Sequence, residues 1–256
     1  MWGAQSRRPF GTAAEYVALP SEQAVALPEG VGFEAGATLG IPARTAHRCV
    51  FADGPVASKT VLVAGGAGAV GVFAVSFATW GGAEVIATVG SEEQGEVAVE
   101  AGADHALNYR VDDVAACVAE ITGGSGVDRI VEVAFGRNLA LNTEAIAQLG
   151  TIAAYSSDAE AEPRLPFWPL LFKNVTIRLV GSDDLPEEAN HKAAVDITVC
   201  LEAGALHPRI AQRLPLDLEL VAGADNLFDA RPGEWAGSVG RQLYLGLGWR
   251  AEGTRR

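Results

Sequence analysis

The stretch VLVAGGAGAVGVFAVSFA, Val61 to Ala78, carries the architecture of the chain. It opens on a continuous apolar run, the pattern of a strand covered on both faces. Four glycines follow within seven residues. Val70, Phe73, Ala74 and Phe77 then recur at helical spacing. The reading is strand, tight turn, helix. Gly66, Gly68 and Gly71 spell G-x-G-x-x-G across the turn. Three glycines at that spacing say little in a chain with 30 of them; the strand before and the helix after give the match its weight. In such a turn the first glycine permits the tight bend. The second lets the backbone approach a pyrophosphate, and the third lets helix pack on strand. The anion meets free N–H groups and the positive end of the helix dipole. The other reading is a strand-to-helix connection without a ligand, which the βα context disfavours.

Beyond the turn, the βα rhythm continues. EVIATV (Glu84–Val89) is a second strand, and SEEQGEVAVEAG (Ser91–Gly102) a helix with Ser91 and Gln94 in a capping box and Gly102 closing it. HALNY is a short strand, and DDVAACVAEITGG a helix ending on a double glycine. VDRIVEVA is a strand, NLALNTEAIAQLG a helix ending on Gly150, and TIAAYS a strand. FWPLLFKN gives a helical turn, VTIRLVG a last strand, and LPEEANHKAAVDITVCLEAG a long amphipathic helix. Six strands with intervening helices predict an α/β fold, a doubly wound Rossmann parallel sheet over residues 36–204. Residues 1–35 and 205–256 carry short apolar runs broken by Pro and Gly, among them EYVAL, PRIAQRLPLDLEL and RQLYLGLG. They predict a second, β-rich lobe built from both termini.

Composition excludes several classes. Nearly half of the 256 residues are apolar, so the chain can bury a core. A formal net charge of -13 argues against nucleic acid and anionic membrane as partners. Cys49, Cys117 and Cys200 are scattered and read as reduced thiols, which predicts a cytoplasmic protein. The N-terminal MWGAQSRRPFG has no apolar core of a signal peptide, and no apolar run reaches spanning length.

An NAD site carries Asp or Glu at the end of the second strand for the ribose hydroxyls. Val89, Gly90 and Ser91 stand there instead. Without a carboxylate a 2′-phosphate is not repelled, so NADPH is expected over NADH. Ser91 can bond that phosphate or cap the next helix, and the two are compatible. Glu92 and Glu93 oppose the phosphate, and Arg110 is the nearest cation by sequence.

These residues carry a resemblance. GTAAEYVALP, AVALPEGV, EAGATLGIPARTAHRCV, the glycine turn with Lys59 after Ser58 rather than Gly, EVIATV, AGADHALNYR, ITGGSGVDRIVEV and GTIAAY follow one another as in the zinc-free medium-chain dehydrogenase/reductases. The chain most resembles their NADPH:quinone oxidoreductase, zeta-crystallin-like branch, over roughly residues 2–250. The resemblance implies a GroES-like lobe from both termini and reduction of quinones or related enones. By position it places Gly66, Gly68, Ala69, Val70 and Gly71 at the pyrophosphate, and Ser91 and Tyr109 near the adenosine phosphate. Thr45 falls near the nicotinamide, and Phe135, Gly136 and Tyr155 at the edge of its pocket. Tyr155 reads equally as a core residue. The family's lysine near Ser91 is missing, and AGADNLFDARPGEW replaces a more usual acidic helix. The front half of the family's catalytic lobe, with its substrate-positioning Asn and Tyr, has no counterpart. A late start codon or a natural truncation is the expectation.

Other schemes lack their residues. His47, His105, His191 and His207 are dispersed and no C-x-x-C exists, so no metal is expected. No tyrosine has Lys four residues later, and no G-x-S-x-G elbow exists. No catalytic acid or base is singled out, because a hydroquinone product takes its protons from water. Two functions stay open: a hydride-transferring reductase, or an NADPH-binding remnant with little catalysis that pairs with another chain. VTIRLVG, Val175 to Gly181, alternates apolar and polar residues with no Pro and one charge. Such an edge strand predicts a homodimer through pairing with its copy, the mode the resemblance also implies.

Overall fold

The structure, a computed structural model, describes residues 2–3, 21–183, 185–210 and 213. Helix α1 (Phe33–Phe51) leads into β1 (Thr60–Ala64), α2 (Ala69–Trp80), β2 (Glu84–Val89), α3 (Glu92–Glu100), β3 (His105–Asn108) and α4 (Val114–Ile121). β4 (Val127–Glu132), α5 (Phe135–Ala145), β5 (Ile146–Ala154), α6 (Phe167–Phe172), β6 (Thr176–Leu179) and α7 (Glu187–Glu202) follow. The six strands form one parallel sheet in the order β3-β2-β1-β4-β5-β6. The doubly wound parallel sheet read from the sequence is therefore present, and its strand order reverses between β1 and β4.

Alternate strand residues feed two cores. Val61, Val63, Val85, Ala87, Val131 and Ala153 pack with α1, α2 and α7 on one face. Leu62, Ile86, Ile130 and Ile152 pack with α4, α5 and α6 on the other. Both faces are covered, which is why β1 and β2 read as unbroken apolar runs.

The helix read as ending at Gly150 ends at Ala145, and the strand after it begins at Ile146 rather than Thr151. The cause is not local. Lys173 Nζ donates to the carbonyls of Thr143, Glu144 and Ile146 at 2.8, 3.1 and 2.7 Å, taking up the open end of α5. Gly150 lies inside β5, where a Cβ would come 2.6 Å from Ile146 Cδ1.

The domain boundary read at residue 35 falls in the first turn of α1, and that at 205 just past α7. Of the second lobe, the described residues show one antiparallel bridge, Trp2 to Val25, and the turn Ser21–Gln23. EYVAL, RQLYLGLG and most of PRIAQRLPLDLEL lie outside the described residues.

Candidate functional site

The glycine turn connects β1 to α2, beside the reversal of strand order. Gly65 sits at φ 67, a left-handed conformation suited to glycine. Its N–H donates to Thr88 Oγ1 at 3.2 Å, and the Gly66 N–H donates to the Thr88 carbonyl at 3.0 Å. Gly66 and Gly71 are closed positions. A Cβ on Gly66 would meet Ala87 Cβ at 2.6 Å, and one on Gly71 would meet the Gly65 carbonyl oxygen at 2.0 Å. Gly68 is open: a Cβ there would touch only the Gly65 oxygen, at 3.2 Å. Gly68 and Ala69 are exposed while Val70 and Gly71 are buried. Gly68 is also the N-cap of α2, with no side-chain cap and no acidic residue in the first turn. The first N–H groups of the helix and its positive end thus face an uncrowded surface, which is what an anion needs. The five residues Gly66, Gly68, Ala69, Val70 and Gly71 form this one turn.

At one side of the turn, β2 and β3 pair through Val89 and Asn108. Just past that pair the Tyr109 N–H donates to the Val89 carbonyl at 3.0 Å, which sets Tyr109 next to Gly90, and Arg110 follows in the turn. A Cβ on Gly90 would meet the Tyr109 hydroxyl at 2.7 Å. The Ser91 hydroxyl accepts from the Gln94 N–H at 3.3 Å, the helix cap read from the sequence. Gln94 Oε1 accepts from the Gly90 N–H at 2.8 Å, one residue before the usual capping-box partner. A hydrogen bond from Ser91 holds the Glu93 carboxyl below its usual value.

At the other side, a Cβ on Gly65 would meet Val133 Cγ1 at 3.4 Å, so the glycine turn touches the end of β4. Here β4–α5 and the segment after β5 are laced together. Ala134 bridges Ser157, the Phe135 N–H donates to the Ser156 carbonyl at 3.1 Å, and the Gly136 N–H to Ser157 Oγ at 3.0 Å. The Tyr155 N–H donates to the Glu132 carbonyl at 3.0 Å. The structure thus brings Phe135, Gly136 and the Tyr155 backbone to the carboxyl ends of neighbouring strands. Tyr155 packs against the first core, and burial, with Cys49 and Glu132 beside it, pushes its phenol above its ordinary value. Thr45 is buried in α1 and its hydroxyl donates to the Ile41 carbonyl at 2.8 Å.

The sequence reading did not single out Glu132, which is fully buried at the end of β4. Its oxygens accept from the Ala134 N–H at 2.5 Å, from Asn138 Nδ2 at 3.1 and 3.3 Å, and from Asn142 Nδ2 at 2.8 Å. The signal was present: a glutamate inside the apolar run IVEVA, followed by asparagines at helical spacing from one another.

Two of the three thiols, Cys49 and Cys200, are unsuited to chemistry. Burial pushes Cys49 up to about 12, and burial with Asp196 nearby does the same to Cys200. Among the described residues no group of three or more His, Cys, Asp or Glu side chains is arranged to hold a metal ion. No helix among them is long and apolar enough to cross a membrane.

Comparison with known proteins finds relatives in sequence and fold. Residues 69–193 match the family described as zinc-binding dehydrogenase. The quinone oxidoreductase of Homo sapiens is 27% identical over 238 residues, 92% of this chain and 69% of the relative. A zinc-type alcohol dehydrogenase-like protein of Schizosaccharomyces pombe is 30% identical over 81% of this chain and 60% of its own length. Among solved structures, Escherichia coli quinone oxidoreductase complexed with NADPH superposes with TM-score 0.67 at 22% identity, over 75% of this chain and 60% of that one. A mycobacterial protein complexed with NADPH gives TM-score 0.70 at 27% identity, over 77% and 62%. The chain spans about three fifths of the length of these solved structures.

Proposed function

We propose that this chain, similar by fold and sequence to quinone oxidoreductases of the medium-chain dehydrogenase/reductase class, binds NADPH and reduces quinones or related enones without zinc. The observation that carries the reading is the contrast at the glycine turn: Gly66 and Gly71 are closed by the protein's own atoms, and Gly68 alone of the three is open. That is the pattern of a backbone held ready for a pyrophosphate. Likeness to proteins solved with NADPH supports the cofactor, and the absence of a carboxylate at Val89–Ser91 supports the 2′-phosphate.

The bound cofactor supplies the hydride. The chain's part is to hold it. Gly68, Ala69 and the first N–H groups of α2 would hold the pyrophosphate, Ser91, Tyr109 and Arg110 would face the adenosine phosphate, and the laced turn Ala134–Gly136 with Ser156 and Ser157 would form the wall on the nicotinamide side. The acidic side chains next to this wall, Asp158 and Glu160, are exposed, and a substrate whose reduced form takes protons from water needs no acid or base from the chain. Thr45 and Tyr155 are proposed to border the nicotinamide through their elements, α1 and β5. A second reading, cofactor binding with little turnover, has one observation behind it: the Ser157 hydroxyl at the wall is spent on backbone groups, the Gly136 N–H and the Glu160 carbonyl.

Titration of NADPH and NADH against tryptophan fluorescence, followed by NADPH consumption with 1,4-naphthoquinone, tests both. Tighter NADPH binding and quinone-dependent consumption support the reductase. Binding without consumption supports the second reading. Failure of both cofactors to bind overturns the proposal.

The homodimer belongs here too. β6 is an edge strand of the sheet, and α7, the helix that follows it and could shield that edge, packs on α1. Leu179, Trp168 and Phe172 stand exposed at and beside that edge, and Trp168 stacks on Phe172. Pairing of β6 with its copy would cover both the unpaired backbone and this apolar surface.

A further inference from the structure

Glu132 is the one fully buried carboxylate among the described residues, and every partner it has is a neutral N–H. Burying a carboxylate costs several kcal/mol unless hydrogen bonds replace its water. Helix packing gives no reason to keep one here, since a leucine would extend the apolar run IVEVA. The reason lies in what the carboxylate grips. It sits at the carboxyl end of β4, one strand from the glycine turn. Its Oε1 holds the Ala134 N–H, the residue where β4 turns into α5 at φ -125, ψ 52. Asn138 and Asn142, one and two turns into α5, hold it from the helix side. Ala134, Phe135 and Gly136 are in turn tied to Ser156 and Ser157 after β5. A Cβ on Gly136 would come 2.6 Å from the Glu160 oxygen, so the turn has little room to drift.

Resting on the NADPH reading, we propose that Glu132 is a positioning residue, whose carboxylate clamps the β4–α5 turn to α5 and so fixes the wall against which the nicotinamide half of the cofactor lies. It touches neither cofactor nor substrate. The adenosine half lies over β2 and β3, away from the clamp, so the clamp sets how the second half of the dinucleotide docks and not how the first half does.

The test separates the two halves. Glu132→Gln keeps the shape but turns one acceptor into an N–H₂ group that faces the Asn142 amide. Adenosine 2′,5′-bisphosphate probes the adenosine half alone, and NADPH probes both. The expected result is a folded variant that binds the bisphosphate within twofold of the parent, binds NADPH about tenfold more weakly, and loses part of the change in NADPH fluorescence on binding. Glu132→Gln combined with Asn142→Asp restores the pair in the opposite sense, with an amide on the strand donating to a carboxylate on the helix, and is expected to recover NADPH affinity. Equal affinities for both probes in parent and Glu132→Gln overturn the clamp. So does a loss of equal size for both probes, or a double variant no better than the single one. A Glu132→Gln chain that does not fold leaves Ser157→Ala, which removes the acceptor of the Gly136 N–H, to be read in the same way. A parent that binds the bisphosphate but not NADPH overturns the clamp alone, and a parent that binds neither overturns the NADPH reading and the clamp with it.

Discussion

Three glycines a few residues apart do different work. At Gly71 a single methyl group would land 2.0 Å from the Gly65 oxygen and force helix and turn apart. Gly71→Ala is expected to lower stability by about 3 kcal/mol or more, read as a fall in the midpoint of chemical unfolding. At Gly68 a Cβ would meet one atom, the Gly65 oxygen at 3.2 Å, so the crowding is far less than at Gly66 or Gly71. Gly68→Val is expected to melt within a few degrees of the parent and to bind no NADPH by fluorescence titration. A Gly68→Val chain with parental affinity would show that no pyrophosphate lies there. The G-x-G-x-x-G pattern and a separate task for each glycine were legible from sequence, but the atoms that close Gly66 and Gly71, Ala87 Cβ and the Gly65 carbonyl, were not. Arg110 is a second case. Sequence proximity made it a candidate cation, and it lies in the turn just after β3, whose last residue, Asn108, pairs with Val89 at the end of β2. Arg110→Ala is expected to weaken NADPH roughly tenfold, about 1.4 kcal/mol, and to leave NADH unchanged, as competitive titration would show. Equal losses for the two cofactors would remove Arg110 from the 2′-phosphate.

Among the helices and strands, local patterns marked the starts far better than the stops. Ser91 and Gly102 bracket α3 from sequence alone, since both act within one turn. The end of α5 depends on Lys173, 28 residues past Ala145, and a local pattern carries no trace of that contact. β6 shows both sides. Its apolar alternation was readable, and its place at the edge followed from strand order. That its one charge is spent on a bidentate pair between Arg178 and Asp53 in the α1–β1 connection was not. The pair holds Asp53 below its usual value and takes the charge that would otherwise discourage a partner strand. Replacing Ile177 by proline removes a ladder donor. Light scattering at micromolar concentration is expected to show a dimeric parent and a monomeric Ile177→Pro. A monomeric parent, or a variant that dimerises with the same affinity, would refute the edge contact.

Across the fold as assembled, α1 and α7 meet through a largely buried imidazole–carboxylate hydrogen bond that only the three-dimensional arrangement creates. His47 Nε2 lies 2.7 Å from Asp196 Oδ2, against Phe51 and Phe77. Burial lowers the His47 value despite the hydrogen bond and charge of Asp196, which act the other way. Burial would raise Asp196, but hydrogen bonds from Lys192 and His47 outweigh it and the carboxyl is lowered. Both groups therefore hold fewer protons folded than unfolded, so stability is present above the ordinary imidazole value of 6.5 and falls as pH drops below it. Melting temperature is expected to decline from pH 7.5 to pH 5, and His47→Gln to flatten that decline; an equal slope in both proteins would assign the loss elsewhere. Sequence reading saw His47 and Asp196 only as members of two separate helices. The central place of β1 has a consequence for synthesis. β1, β2 and β3 leave the ribosome together, yet the other neighbour of β1 is β4, whose last residue, Glu132, comes 68 residues after Ala64. At roughly 5–20 residues per second, the Val61–Val63 edge waits about 3 to 14 seconds for its partner. For that interval the nascent chain displays an apolar strand with one unpaired edge, and a pause between residues 110 and 130 would make it the chain's most vulnerable moment.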